Sequence, residues 1–217
     1  KNYNTTTPNV ILGDKTEVIY GDGYIYDILC GYKFKISPLS FYQVNPIQTE
    51  ILYNTAIKFA TNDTNETAKT IALDLYCGIG TIGICSSKHF KKIYGIEIVK
   101  QAIDDAKENA KLNNLQNTEF YAGDVEEVLP EILKDIENKP ETVFVDPPRK
   151  GLDNKTIDVL KNLRPKTIVY VSCNPATLAR DLKLLEEKYE IKEIQPVDMF
   201  PYTSHVECCA LLCLKQV

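Results

Sequence analysis

Cys173 stands where an apolar, β-branched run, Ile168-Val169-Tyr170-Val171, stops at Ser172 and a stretch of helical composition, Ala176 to Lys188, follows. Pro175 suits the first turn of that helix, where its missing N–H is no loss. Cys173 therefore falls at the carboxyl end of a buried strand, just before a helix N-terminus. Ligands bind along that edge of an open α/β sheet. A helix N-terminus also lowers a thiol's pKa, and the thiolate is the nucleophile. Most cysteines pack as small apolar side chains, but these neighbours favour a nucleophile. Asp146 ends another apolar run, in Val145-Asp146-Pro147-Pro148-Arg149-Lys150-Gly151-Leu152. Its two prolines make a stiff, extended turn, and Asp146 on the rim would face the same crevice. Glu207, in Ser204-His205-Val206-Glu207-Cys208, opens an otherwise apolar run. Taken alone, it would be read as pairing with a lysine.

A second group of residues suits a nucleoside. Asp74-Leu75-Tyr76-Cys77-Gly78-Ile79-Gly80-Thr81-Ile82-Gly83 places Gly78, Gly80 and Gly83 in the pattern G-x-G-x-x-G, and Glu97 ends the next strand. Glycines let the backbone approach a ligand closely, and a carboxylate about 20 residues on accepts hydrogen bonds from ribose hydroxyls. That pattern serves nicotinamide dinucleotides and S-adenosylmethionine alike, so an oxidoreductase is the rival reading. Charge separates them. A pyrophosphate here would be opposed by Asp74, Glu97, Asp124 and Asp146, each at or near a predicted strand end. A cofactor carrying a sulfonium and an ammonium would be welcomed. Asp124, just before a helix, could instead cap it. S-adenosylmethionine is the expected cofactor.

These residues need a scaffold, and the chain spells one. Strand-like runs at Ile71–Tyr76, Lys92–Ile96, Thr118–Ala122, Thr142–Asp146 and Thr167–Ser172 alternate with helical patterns at Ile82–Lys88, Lys100–Asn113, Val125–Asn138 and Lys155–Leu163. Such alternation predicts a parallel, doubly wound sheet with helices on both faces. Ile191–Met199 and Val206–Leu214 follow each other without a helix, so one of them is expected to run antiparallel. Ahead of the sheet, short β-rich runs begin at Val10 and include Glu17–Tyr20, Tyr24–Leu29 and Lys33–Ile36, with turns at Gly21-Asp22-Gly23 and Gly31. A loop from Ser37 to Pro46 leads into an amphipathic helix at about 47–60, with Ile51, Leu52, Ala56, Ile57 and Phe59 as expected core contacts. Residues 61–69 are polar and linker-like. The division is a β-rich appendage over 1–46 and an α/β domain over 47–217.

Composition narrows the class. Of the 217 residues, 44% are hydrophobic and 25% charged, as in soluble globular chains. No apolar run approaches a membrane span, and the polar start, KNYNTTTPN, lacks a signal peptide's apolar core. A leading Lys1 instead of Met implies a processed chain or a fragment. Seven cysteines, an odd number with no C-x-x-C, fit reduced thiols in the cytoplasm and no metal site. The net charge of −5 opposes strong non-specific nucleic-acid binding but leaves room for a local basic patch.

The chain resembles the S-adenosylmethionine-dependent RNA uracil-5 (5-methyluridine) methyltransferases. The likeness runs through FYQVN (41–45), DLYCGIGT (74–81), DPPRKGL (146–152), SCNPATLARD (172–181) and HVE (205–207), in the family's order. The resemblance implies a Rossmann-like class I methyltransferase fold with an antiparallel strand near the C-terminus. It implies that Cys173 is the nucleophile and Glu207 the general base. Gln43, Tyr76, Gly78, Gly80, Thr81, Glu97, Asp146 and, more weakly, Asp124 would line the methyl donor's site. Arg149, Lys150 and Arg180, near the same edge, are candidate contacts to RNA phosphates or bases, with ordinary solvated charge as the equal alternative. The substrate would be RNA, ribosomal more readily than transfer RNA, and the enzyme a monomer. Family members carry an N-terminal RNA-binding barrel, and some a four-cysteine iron–sulfur site. Neither motif occurs here, and the first hairpins look like the tail of a central domain.

Overall fold

A computed structural model of the chain describes residues 1–4, 13, 15–62, 66–136 and 138–216. Two short strands, β1 (Asn2–Tyr3) and β2 (Lys15–Thr16), pair antiparallel, and β3 (Ile25–Leu29) and β4 (Tyr32–Ile36) form a hairpin. The run at 17–20 is not a strand; Val18, Ile19 and Tyr20 are exposed, so their β-branched and aromatic character has no sheet face to cover. The start of the β-rich pattern at Val10 lies outside the described residues.

Helix α1 (Pro46–Thr61) starts at Asn45, whose side chain accepts from the Gln48 N–H, with Pro46 in the first turn. Leu52, Ala56, Ile57 and Phe59 are buried as expected. Ile51 is not, at 48% exposed; Tyr53 faces the core instead, because the buried stripe runs through 49, 52, 53, 56, 57 and 60.

Then come β5 (Ile71–Leu75), α2 (Thr81–Ser86), β6 (Lys92–Glu97), α3 (Lys100–Leu112), β7 (Thr118–Ala122), α4 (Val125–Asp135), β8 (Thr142–Val145), α5 (Asn154–Leu163), β9 (Thr167–Ser172), α6 (Pro175–Leu185), β10 (Tyr189–Val197) and β11 (Glu207–Leu214). The central sheet has the order β10-β11-β9-β8-β5-β6-β7. β5 to β9 are mutually parallel, and β11 runs antiparallel to both its neighbours. The middle strands β5 and β8 are wholly buried, as parallel strands sandwiched between helix layers must be.

One face of the sheet packs with Leu52, Ala56, Ile84, Ile103 and Ala106 from α1 to α3, and Leu29 and Phe34 of the hairpin join that same core. The other face packs with Leu129, Ile157, Leu160, Leu178 and Leu182 from α4 to α6. The chain leaves β5 toward β6 and later returns to place β8 on β5's other side. The carboxyl ends of β5 and β8 thus flank a topological switch point, where open α/β sheets open a ligand crevice.

Candidate active site

The glycine-rich turn is built from beneath. Asp74, fully buried near the end of β5, accepts the Gly83 N–H at 2.8 Å and so fixes the first turn of α2. Its other oxygen has no partner among the described residues, and burial pushes its pKa up to about 7. Asp74 therefore underpins the loop and does not line an acidic mouth, contrary to the expectation from sequence. Glu97, at the end of β6, accepts from the Gly78 N–H at 3.3 Å and the Val99 N–H at 2.9 Å. Gly80 takes φ +80°, and a Cβ there would lie 2.8 Å from the Phe120 ring. At Gly78, φ +53°, nothing lies within 4 Å of where a Cβ would stand. The backbone is open at that point to a ligand approaching from the crevice.

Of the other expected cofactor residues, Thr81 shares a hydrogen bond of 3.0 Å with the Tyr53 hydroxyl. Tyr76 takes φ +63°, a left-handed value uncommon for an aromatic residue, and its hydroxyl meets Thr156 on α5 at 3.0 Å. Asp124 precedes α4, but its side chain does not cap that helix and is exposed, so the carboxylate is available. Gln43 is buried in the loop ahead of α1. Asn45 ties that loop to the segment preceding β11 by donating to the Met199 carbonyl at 3.1 Å.

Cys173, half-buried, follows β9 directly. Cys208 pairs with Ser172 across β11 and β9, so Glu207 starts its strand at the end of β9 that leads into Cys173, close enough for its charge to act on the thiol. Glu207 is only 4% exposed. The thiol is not activated in the way a helix N-terminus suggested. Burial, then the charges of Glu207 and Asp146, raise its pKa, while Arg149 lowers it. Burial likewise raises Glu207, with Arg149 opposing, and Asp146 lies well above the usual carboxylate range through burial and its two acidic neighbours, Glu207 and Asp74. Neither Asp146 nor Glu207 joins an ion pair among the described residues. One thiol, two carboxylates and one guanidinium thus share a single electrostatic cluster at the sheet edge.

The two loops that carry this cluster are tied together by Asn174 and Asp181, which were not singled out from sequence, and by Arg180, a candidate RNA contact. Asn174 caps α6 through the Ala176 N–H and donates to the Arg149 carbonyl, which also accepts from the Thr177 hydroxyl. Asp181, fully buried on α6, accepts from the Leu152 N–H at 2.8 Å and the Tyr170 hydroxyl at 2.7 Å. Arg180 pairs with Asp181 and donates to the carbonyls of Lys150 and Leu152. Its guanidinium therefore holds the DPPRKGL loop, with the side chain still 51% exposed. Arg149 and Lys150 are exposed on that loop. Gly151 takes φ +75°, and a Cβ there would overlap Asp181 Oδ2.

Elsewhere, a cavity of about 970 Å³ opens on the appendage, with Gln43 and Val44 on its lining. Among the described residues, no group of three or more His, Cys, Asp or Glu could hold a metal ion. No described helix is long and apolar enough to cross a membrane.

A parallel sheet with one reversed strand, a glycine-rich first turn and acids at its strand ends defines a Rossmann-like methyltransferase. The fold is shared with the M. jannaschii tRNA m1G37 methyltransferase (TM-score 0.63, 18% identity, 93% of this chain and 60% of that one). The model of the tRNA (uracil-5-)-methyltransferase family matches residues 25–215, and the chain belongs to that family. It is 36% identical to the Pyrococcus abyssi tRNA (uracil-54, C5)-methyltransferase, solved in complex with S-adenosyl-L-homocysteine, with a TM-score of 0.79 over 96% of this chain and 49% of that one. It is 53% identical over 213 residues to an uncharacterized RNA methyltransferase of Bacillus cereus, covering 98% of this chain and 45% of the relative. The chain thus spans about half the length of these relatives.

Proposed function

We propose that this chain is the catalytic portion of an enzyme that transfers a methyl group from S-adenosylmethionine to C5 of a uridine in RNA. The observation that carries the reading is the cluster of Cys173, Glu207, Asp146 and Arg149 along the edge of the sheet where β8 and β9 end and β11 begins, on the same edge as a glycine turn left open at Gly78. The residues fit the cofactor: Glu97, Asp124 and Asp146 are acids without ion-pair partners among the described residues, suited to a ligand with net positive charge. Gln43, Tyr76, Gly78, Gly80 and Thr81 would complete its site. S-adenosylmethionine, when bound, supplies an electrophilic methyl group and a positive charge beside these carboxylates.

The protein's own residues do the rest. C5 of uracil is too weak a nucleophile to take a methyl group unaided. The Cys173 thiolate adds to C6, forming an S–C6 bond and moving the ring electrons into an enolate, so that C5 can accept the methyl. Glu207 then takes the C5 proton; the S–C6 electrons return to sulfur and the thiolate leaves. Covalent addition splits one difficult reaction into easier ones. Burial raises the Glu207 carboxylate above its ordinary pKa and so makes it a stronger base for that step. Arg149 offsets the negative charge around the thiol. The uridine must leave its stack to reach both groups, and Arg149, Lys150 and the exposed part of Arg180 are the proposed RNA contacts.

The names of the relatives support transfer RNA more than the ribosomal RNA favoured by the sequence, so transfer RNA is the first substrate to test. The seven unbridged cysteines support a cytoplasmic setting. Incubating the enzyme and S-adenosylmethionine with 5-fluorouridine-substituted transfer and ribosomal RNA should trap a denaturant-resistant adduct on the true substrate. An adduct that forms equally in Cys173→Ala, or none on either RNA, rejects the mechanism.

A further inference from the structure

Helix α3 supplies β4 with a substitute for a neighbouring strand. Asn113 accepts from the Lys33 N–H at 2.9 Å and donates to the Lys33 carbonyl at 2.7 Å. One turn earlier, Asn109 accepts from the Lys35 N–H at 2.7 Å and donates to the Lys35 carbonyl at 3.2 Å. A further turn back, Asp105 accepts from the hydroxyls of Ser37 and Ser40 at 3.0 and 2.6 Å. The periods agree: four helical residues rise about 6 Å, and two strand residues about 6.8 Å. An outer edge of the hairpin that would otherwise leave its N–H and C=O groups unpaired is covered in this way.

Asn109 differs from Asn113 in burial and in one hydrogen bond. It is fully buried, and its amide nitrogen also donates to the Ile79 carbonyl at 3.4 Å, between the two glycines of the cofactor turn. The corresponding bond of Asn113 goes to the Asn109 carbonyl in its own helix. Ala106, on the same face, would lie 3.2 Å from a Cβ at Gly80, so the helix is the floor of that turn. An Asn side chain has two donors and an acceptor oxygen with two lone pairs, and three of those four capacities are used.

We infer that Asn109 is a positioning residue that sets the glycine turn and the β3–β4 appendage in one register, so that cofactor affinity depends on a side chain of α3. The inference rests on the reading of this turn as the S-adenosylmethionine site, and it adds a residue to which no motif points. It also links the appendage, whose following loop carries Gln43, to the cofactor end of the sheet.

Asn113 is the internal control, since it makes the same ladder without the bond to the turn. Calorimetry of the 217-residue chain with S-adenosylhomocysteine should show Asn109→Ala binding about tenfold more weakly, the worth of one lost hydrogen bond. Asn113→Ala should bind within about twofold of the parent. Amide exchange followed by NMR should speed up at 78–80 and at Lys35 in Asn109→Ala, but at Lys33 alone in Asn113→Ala. If Asn109→Ala does not fold, Asn109→Asp keeps the acceptor for the Lys35 N–H, loses both donors and should weaken binding in the same direction. Asn109 variants that bind like the parent, or an equal loss in Asn113→Ala, would overturn the inference. A parent chain that does not bind S-adenosylhomocysteine would instead sink the cofactor reading beneath it.

Discussion

The two halves of the crevice are built to opposite plans. On the β5–β6 side, acids are given to the backbone: Asp74 holds the Gly83 N–H, and Glu97 holds those of Gly78 and Val99. On the β8–β9–β11 side, Asp146 and Glu207 accept no hydrogen bond among the described residues, and the tying of loops is delegated to Asn174, Arg180 and Asp181. In the first half every carboxylate oxygen but Asp74 Oδ1 is engaged before any ligand arrives. The second keeps its reactive groups unsatisfied and electrostatically uncomfortable, with Cys173, Asp146 and Glu207 all shifted toward their neutral forms. Unspent polar groups are where chemistry is to be sought, and fully engaged ones are where geometry is held.

The contrast is open to attack, most severely at Cys173. Cys173→Ala should cut methyl transfer by at least about 10⁴-fold, as removal of a covalent nucleophile does, with S-adenosylhomocysteine affinity intact. A loss of affinity instead would place this thiol in the first half. Glu207→Gln should lower kcat by about 10²–10⁴-fold, while a methylated protein–RNA adduct accumulates on denaturing gels. Normal turnover would remove Glu207 from proton transfer.

Asp181→Ala probes the tie itself. It strips a buried carboxylate from Leu152, Tyr170 and Arg180 and should cost about 3 kcal/mol in urea unfolding; a cost near zero would show that the loops do not depend on it. A smaller effect is expected in thiol titration by iodoacetamide. Because burial and two acids raise Cys173, alkylation at pH 7 should be slow; Arg149→Ala should slow it about threefold more and Glu207→Gln should speed it by a similar factor. The reverse order would contradict the charge arrangement.

Asp74 sharpens the other side. Its pKa is raised to about 7 in the fold, so the folded state holds the proton more tightly than the unfolded chain. The stabilisation from this group is complete below the ordinary carboxylate pKa of about 3.9 and is lost as pH climbs through about 7. The melting temperature of Asp74→Asn should therefore rise relative to the parent between pH 5 and pH 8. A constant difference would mean that Asp74 stays ionised.

Much of this was legible in the residues. Strands β7 and β9 have the ends expected, and β5, β6 and β8 end within a residue, because continuous apolar runs between turn signals leave few alternatives. Asn45 and Asn174 could be recognised as helix starts by the prolines that follow them. Position 17–20 misled because apolar, branched residues were read as a strand without knowing whether a partner edge existed. The helix-terminus argument for Cys173 misled for a related reason: it counted one local dipole and not the two carboxylates that the fold brings from β8 and β11. Asp181 and Asn109 escaped because their partners lie 29 and 74 residues away, and an acid or amide in a helix carries no mark of what it will meet.

The pairing of β11 has an evolutionary corollary. Hydrogen-bonded on both flanks, it cannot slide by one position without reversing which face every one of its side chains presents. A one-residue slip of β11 against β9 would therefore carry Glu207 to the opposite face, whereas an extra residue among 198–206 would lengthen the bend. Divergence among homologous genes should accumulate in that bend and spare the strand's length.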